Sequence, residues 1–353
     1  MHATDARFVR SPALLTLVIL FLATGQDLVA QKKSVRPGIN KSFRRPDVKA
    51  FIGRFETESR EVFERRKEII AALSLRKGQS VADIGAGTGL FSRLLAPGVG
   101  SRGRVFAVDI AKEFVEHIDR SCREQKITNV QARLCSPTSV GLPDESIDLA
   151  FICDTYHHFE FPYKTMRSVW RALRPGGQVV LIDFHRKKGT SSEWVLEHVR
   201  AGQKTFVEEI VRSGFEVVDE KTFLKTSYFV RLRKATRRTN RGHTLDSLET
   251  VQRLLVNETA VLLDVREQGE WDAGHLEEAR LVPLSQLRKS ASAKTLPASL
   301  ARALPRDSII FCHCRSGGRV LAATRILEKL GYDIRPLSTG YRGLLEAGFQ
   351  KAR

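Results

Sequence analysis

One run, Val81-Ala82-Asp83-Ile84-Gly85-Ala86-Gly87-Thr88-Gly89-Leu90, constrains the fold more than any other stretch of this 353-residue chain. An apolar segment ends on an acid, glycines alternate through a tight turn, and Leu90-Phe91-Ser92-Arg93-Leu94-Leu95 resumes at helical spacing. The order is strand, glycine loop, helix. Glycines let backbone approach a ligand closely, and the helix N-terminus behind them offers free amides. Val105-Phe106-Ala107-Val108-Asp109 is a second strand ending on an acid. It follows by about 20 residues, the spacing at which a carboxylate reaches ribose hydroxyls. The loop lacks the Gly-x-Gly-x-x-Gly spacing of dinucleotide sites, and Asp83 beside it would repel a pyrophosphate. An acid there suits a cationic ligand.

Two further runs complete the pattern: Leu142-Pro143-Asp144-Glu145-Ser146-Ile147-Asp148-Leu149-Ala150, and Leu173-Arg174-Pro175-Gly176-Gly177-Gln178-Val179-Val180. Together these motifs resemble the class I S-adenosylmethionine-dependent methyltransferases over residues 50 to 232. The resemblance implies an α/β fold, a doubly wound Rossmann-like sheet, with S-adenosylmethionine as cofactor and a small-molecule methyl acceptor. It implies cofactor contacts from Asp83, Gly85, Ala86, Gly87, Gly89, Asp109, Ile110, Ser136 and Asp154. Cys135-Ser136-Pro137 stands where many members place an acid near the adenine, so Ser136 would offer one hydrogen bond instead. Residues 147–153 read as the fourth strand, opening into Asp154-Thr155-Tyr156-His157-His158-Phe159. Sites in such sheets lie beyond the carboxyl ends of the strands. His157 and His158 therefore either line the acceptor pocket or pack their loop.

Ahead of the sheet, Arg7 and Arg10, an apolar run over 13–23 and Leu28-Val29-Ala30 follow the order of a secretory signal peptide. The chain divides as signal peptide 1–30, basic tether 31–47, methyltransferase domain 48–232, basic linker 233–243 and a second domain 244–353. Export to the periplasm or beyond is expected if the leader is used, and a cytoplasmic location if it is not. Export sets up a tension, because S-adenosylmethionine is made in the cytoplasm. From Val48 to Leu73 apolar residues recur at helical spacing. Glu56 and Arg60 on that stretch are expected to pair with each other on the helix surface, with ligand contact as the alternative.

In the second domain, Ala260-Val261-Leu262-Leu263-Asp264 and Ser308-Ile309-Ile310-Phe311-Cys312-His313 read as buried strands. The second delivers Cys314-Arg315-Ser316-Gly317-Gly318-Arg319 at a strand-to-helix turn. Successive amides and an arginine around a cysteine stabilise a thiolate, the nucleophilic form. These residues resemble the rhodanese domain, a smaller α/β sulfurtransferase module. The resemblance implies a persulfide on Cys314, with Arg319 helping to bind an anionic sulfur donor such as thiosulfate. Asp264, Arg266 and His275 would brace the domain. Four residues separate Cys314 from Arg319, one fewer than protein tyrosine phosphatases place there, which favours sulfur over phosphate. The segment 337–344 departs from the family's paired glycines and tryptophan.

No metal site is read from the sequence: Cys312, His313 and Cys314 lack a second ligand pair at zinc-like spacing. Five cysteines form no even-numbered disulfide framework. A net charge of +18 leaves two readings, a solvated basic surface or an anionic partner engaged through the six basic residues of 231–242. No aromatics interleave with the basic runs, which argues against nucleic acid. A non-catalytic, surface-binding scaffold built from the same folds, or a sulfurtransferase with an inactive methyltransferase domain, is the alternative function. Intact Asp83, Gly85, Gly87, Asp109 and Cys314 speak against degeneration.

Overall fold

The computed structural model describes residues 33–235, 239–256, 258–293, 296–297, 300–301, 304–306 and 308–353, so the leader expected at 1–30 lies outside the described residues. Seven strands form the first sheet: β1 (Ser80–Ile84), β2 (Arg104–Asp109), β3 (Val130–Leu134), β4 (Ile147–Cys153), β5 (Leu173–Phe184), β6 (Phe215–Lys221) and β7 (Ser227–Lys234). Their order is β3-β2-β1-β4-β5-β7-β6, with β1 to β5 parallel and β7 antiparallel to both its neighbours. The continuous apolar runs of β1, β2 and β4 are buried because helices cover both faces of a parallel sheet. The chain winds outward from β1 to β3, then returns to β4 on the other side of β1. That reversal opens a crevice at the carboxyl ends of β1 and β4, where ligands bind in such sheets.

The periodic stretch from Val48 is not one helix but three, Val48–Phe55, Glu61–Glu64 and Arg66–Leu73, the first capped by Asp47, which accepts from the Ala50 amide at 3.1 Å. The expected tether packs onto the domain from residue 33 onward. Phe43 lies 5.2 Å from Phe51 and 6.3 Å from Phe114, ring centre to ring centre, and the Val35 amide donates to the Glu160 carbonyl at 2.9 Å. One phenylalanine outweighs the surrounding basic residues, because it buries apolar surface while they stay solvated. Arg174-Pro175-Gly176-Gly177 does not precede the fifth strand but lies inside it, taken up by a register shift between Ile147 and Leu149 of β4. Gly176, at φ +75°, supplies the left-handed residue of that irregularity. The linker is also shorter than expected. β7 runs on to Lys234, and β8 (Thr239–Asn240) pairs with β9 (His243–Thr244).

The second sheet is parallel: β10 (Ala260–Asp264), β11 (Ala279–Leu281), β12 (Ile309–His313) and β13 (Ile334–Pro336), in the order β11-β10-β12-β13. Leu263, Ile310, Cys312, Val320 and Leu327 pack one of its faces. A buried ion pair joins the two domains. Arg167, on the helix Pro162–Ala172, places Nη2 2.8 Å from Asp333 Oδ2, and both side chains are almost fully enclosed. Asp333 also lies 3.5 Å from Arg335, which pairs with Asp246 at 3.0 Å. Among the described residues no helix is long and apolar enough to cross a membrane.

Candidate active sites

The crevice at the β1–β4 switch point is a cavity of about 1280 Å³. Asp83, Gly85, Ala86, Gly87, Asp109, Ile110, Ser136, Asp154, His157 and His158 all line it; Gly89 does not. Gly89 instead precedes the helix Leu90–Val99 at φ +78°, where a Cβ would press on Ile118. Gly85, at φ +74°, passes so close to Thr155 that any side chain would collide with it.

Three aspartates line this cavity, Asp83, Asp109 and Asp154. Asp109 accepts the Gly87 amide on Oδ2 and the Ala111 amide on Oδ1, each at 2.8 Å, which leaves every oxygen a further acceptor site. Burial pushes its carboxyl up to about 6, against the pull of those amides. Burial likewise pushes Asp83 up to about 7, although the Ser92 hydroxyl donates to it at 2.6 Å. Asp154 stands at φ +48° and receives Arg60 Nη2 at 2.8 Å on Oδ2, while its buried Oδ1 has no partner. Glu56 and Arg60 therefore do not pair with each other. Glu56 accepts from the Thr88 hydroxyl at 2.8 Å and from Arg93 at 2.9 Å, so the leading segment is tied over the cavity from both ends. Cys153, at the end of β4, is half-buried on the cavity wall, and desolvation pushes its thiol well up.

At the other end of the cavity His157 is buried, its Nδ1 donating to Asp183 Oδ1 at 2.8 Å. His158 is half-buried, and burial followed by the imidazoles of His157 and His198 pushes it down to about 2. His198 comes from the helix Glu193–His198, which sequence reasoning missed. Only the fold brings it beside a pair forty residues earlier, with His158 Nε2 and His198 Nε2 3.3 Å apart.

In the second sheet Cys312 is fully buried in β12, and burial pushes its thiol up. Cys314 follows the strand end, ahead of the helix Gly318–Lys329. Its loop is clamped. His243 Nε2 donates to the Gly317 carbonyl at 2.8 Å, and only a glycine at 340 lets Ser338-Thr339-Gly340 lie against the Arg315 carbonyl. Arg319 stands beside Cys314 and also has an acidic partner. It forms a two-point pair with Glu270 at 2.5 and 2.7 Å, so its guanidinium is already engaged, with Cys314 as a further neighbour. That arginine holds Glu270 down at about 2. In this turn Arg315, Ser316 and Gly318 are exposed and Cys314 is buried. Asp264 takes Arg266 at 2.6 to 2.9 Å, Arg266 also donates to the Gly274 carbonyl at 2.8 Å, and His275 stacks on Trp271 at 3.7 Å. All three brace the domain.

Residues 82–181 match the family model described as a methyltransferase domain, and residues 247–347 match the rhodanese-like domain. The chain carries a methyltransferase domain followed by a rhodanese-like domain. Among curated relatives, it is 30% identical to a ubiquinone/menaquinone biosynthesis C-methyltransferase of Hydrogenovibrio crunogenus, over 34% of this chain and 48% of that protein. It is 28% identical to phosphoethanolamine N-methyltransferase 1 of Triticum aestivum, over 46% of this chain and 30% of that one. An uncharacterised transposon protein of Streptomyces fradiae is 32% identical, over 41% and 42% respectively. The chain thus spans less than half the length of these three relatives. A solved S-adenosylmethionine-dependent methyltransferase of Aquifex aeolicus is similar to 54% of this chain over its whole length, at 23% identity and a TM-score of 0.49. The methyltransferase model begins inside β1 and ends inside β5, so it contains the glycine loop, Asp109 and the His157-His158 loop. The rhodanese-like model contains Asp264, Glu270, Cys314 and Arg319.

Proposed function

We propose that the methyltransferase domain transfers a methyl group from S-adenosylmethionine to a small-molecule acceptor, and that the rhodanese-like domain carries sulfur as a persulfide on Cys314. The observation that carries the first reading is the switch-point cavity, with Asp83, Asp109 and Asp154 along its wall. Three acids suit a ligand bearing a sulfonium and an ammonium, and the buried, unpartnered Asp154 Oδ1 lacks only a cationic or donating group. Asp109 would hold the ribose hydroxyls, the Gly85–Gly87 backbone would lie against the methionine part, and Ser136 would meet the adenine. When bound, the cofactor supplies an electrophilic methyl carbon. The chain's own part is to position and desolvate the acceptor at the far end of the cavity, between Phe184, Trp194 and the histidines. Labelled S-adenosylmethionine, incubated with the purified chain and a small-molecule extract of its host, tests this. Label should appear in a discrete product, and a His157→Ala or His158→Ala change should lower turnover while leaving donor affinity nearly unchanged.

In the second domain the Cys314 thiolate would attack the outer sulfur of thiosulfate, with sulfite leaving on the bonding pair of the broken S–S bond. The persulfide would then pass its sulfur to a nucleophile such as cyanide. The place of Cys314 between the end of β12 and the helix Gly318–Lys329, with Arg319 as a neighbour, supports this reading.

A further inference from the structure

His157, His158 and His198 bring one ring nitrogen each to within 4.8 Å of one another, on the cavity wall. Hydrogen bonds behind the rings set their tautomers. His157 donates from Nδ1 to Asp183, which leaves a lone pair on Nε2. Asn40 donates from Nδ2 to the His158 carbonyl at 3.1 Å, which orients its amide so that Oδ1 accepts from His158 Nδ1 at 3.2 Å. His158 Nε2 is therefore also a bare lone pair, and it faces His198 Nε2 at 3.3 Å. Two imidazole nitrogens bound tetrahedrally to zinc at 2.0–2.1 Å stand about 3.3 Å apart. The rings are held from outside as well. Trp194 stacks on His198 at 4.6 Å, and Phe43 meets His158 edge-on at 5.0 Å.

We propose that His157, His158 and His198 bind a divalent transition-metal ion of the zinc type, with a fourth coordination position open to the cavity. Three nitrogen ligands and an open position match a reactive zinc site rather than a closed structural one. An all-imidazole set takes zinc, copper or nickel over magnesium or calcium. The buried Asp183 carboxylate behind His157 is the outer partner that metal-binding histidines commonly have. It offsets the positive charge of Arg36, which lies on the same flank and donates to the Glu197 carbonyl at 2.7 Å. Metal binding stands apart from the methyl-transfer reading. Only its use there rests on that reading: a thiol or hydroxyl acceptor taking the open position would ionise more readily, its proton passing to solvent.

The test is a titration of the metal-stripped full chain with Co²⁺ and then Zn²⁺, read by visible absorption and calorimetry. A single Co²⁺ should give the intense bands of a tetrahedral nitrogen site, and Zn²⁺ should displace it. His158→Gln and His198→Gln should each abolish those bands, and Asp183→Asn should weaken binding about 10–100-fold. Because Asp183 is fully buried, the deciding variant is His198→Gln, at a half-buried ring, with its circular dichroism matched to the wild type. The proposal is overturned if the wild type takes up no Co²⁺ or if the His198→Gln spectrum is unchanged. Bands that vanish in Cys314→Ser instead would overturn it equally.

Discussion

Replacing Arg167 with methionine should uncouple the two domains at measurable cost. The guanidinium is enclosed, with Nη2 2.8 Å from Asp333, Nη1 donating to the Ser213 carbonyl at 3.1 Å, and its carbon 4.5 Å above the Trp170 ring. Burial pulls its pKa down to about 10, against the attraction of Asp333, so the site exacts a desolvation penalty that only the partner offsets. Removing one member of such a pair leaves the other charge buried, which costs about 3–5 kcal/mol. Arg335 tempers this, since it lies 3.5 Å from Asp333, so the lower end of the range is expected. Replacing both members, Arg167→Met with Asp333→Leu, should recover most of the loss, because Arg335 keeps Asp246 at 3.0 Å as its partner. Urea unfolding followed by tryptophan fluorescence reads this directly, Trp170 being in contact with the pair. A single-variant loss below about 1 kcal/mol, the range of exposed ion pairs, would refute the claim that this contact holds the domains together.

Three further outcomes follow from the sites. Cys314→Ser should abolish sulfur transfer from thiosulfate to cyanide, and Cys312→Ser, at a buried strand position, should leave it nearly intact; the reverse pattern would reassign the nucleophile. Cofactor affinity should rise with pH, since a cationic ligand needs Asp109 ionised and burial holds its carboxyl up at about 6 in the free protein. Below that value the proton must be released on binding, so calorimetry at pH 5 should give affinity at least about tenfold weaker than at pH 8; Asp109→Asn should reduce the dependence, and Asp83, held up at about 7 by burial, should carry what is left of it. The exported reading places the mature N-terminus near Gln31, and N-terminal sequencing of the protein from its host would show an intact Met1 if the leader is not used.

The parts of the fold that the sequence made legible are those where backbone chemistry is local. The acid-terminated strands β1 and β2, the glycine turn between them and the Cys314 turn each need particular residues in sequence order, so pattern alone locates them. What was not legible depended on distance. Phe43 could not be read as part of the cavity's cover, because its partners Phe51 and Phe114 lie on separate helices. Arg60 looked like a helix-surface partner for Glu56, because spacing reports neighbours along a helix and not Asp154, which lies 94 positions away. Glu270 carried no reading in the sequence, because its partner Arg319 lies 49 positions away. His198 gave no signal at all: a lone histidine ending a short helix acquires meaning only beside His157 and His158. The break in the periodic stretch 48–73 was equally hidden, since the segment between its helices is charged and soluble in either conformation.

Calorimetric titration of S-adenosylmethionine into the full chain, beside the same titration of Asp109→Ala, decides most directly whether the switch-point cavity is a methyl-donor site. Asp109 offers two carboxylate oxygens to the ribose, and a hydrogen bond to a charged group contributes about 1.5–3 kcal/mol. The wild type should bind the cofactor with a single saturable transition, and Asp109→Ala should bind about tenfold or more weakly. No heat of binding to the wild type, or equal affinity in the two proteins, would contradict the assignment.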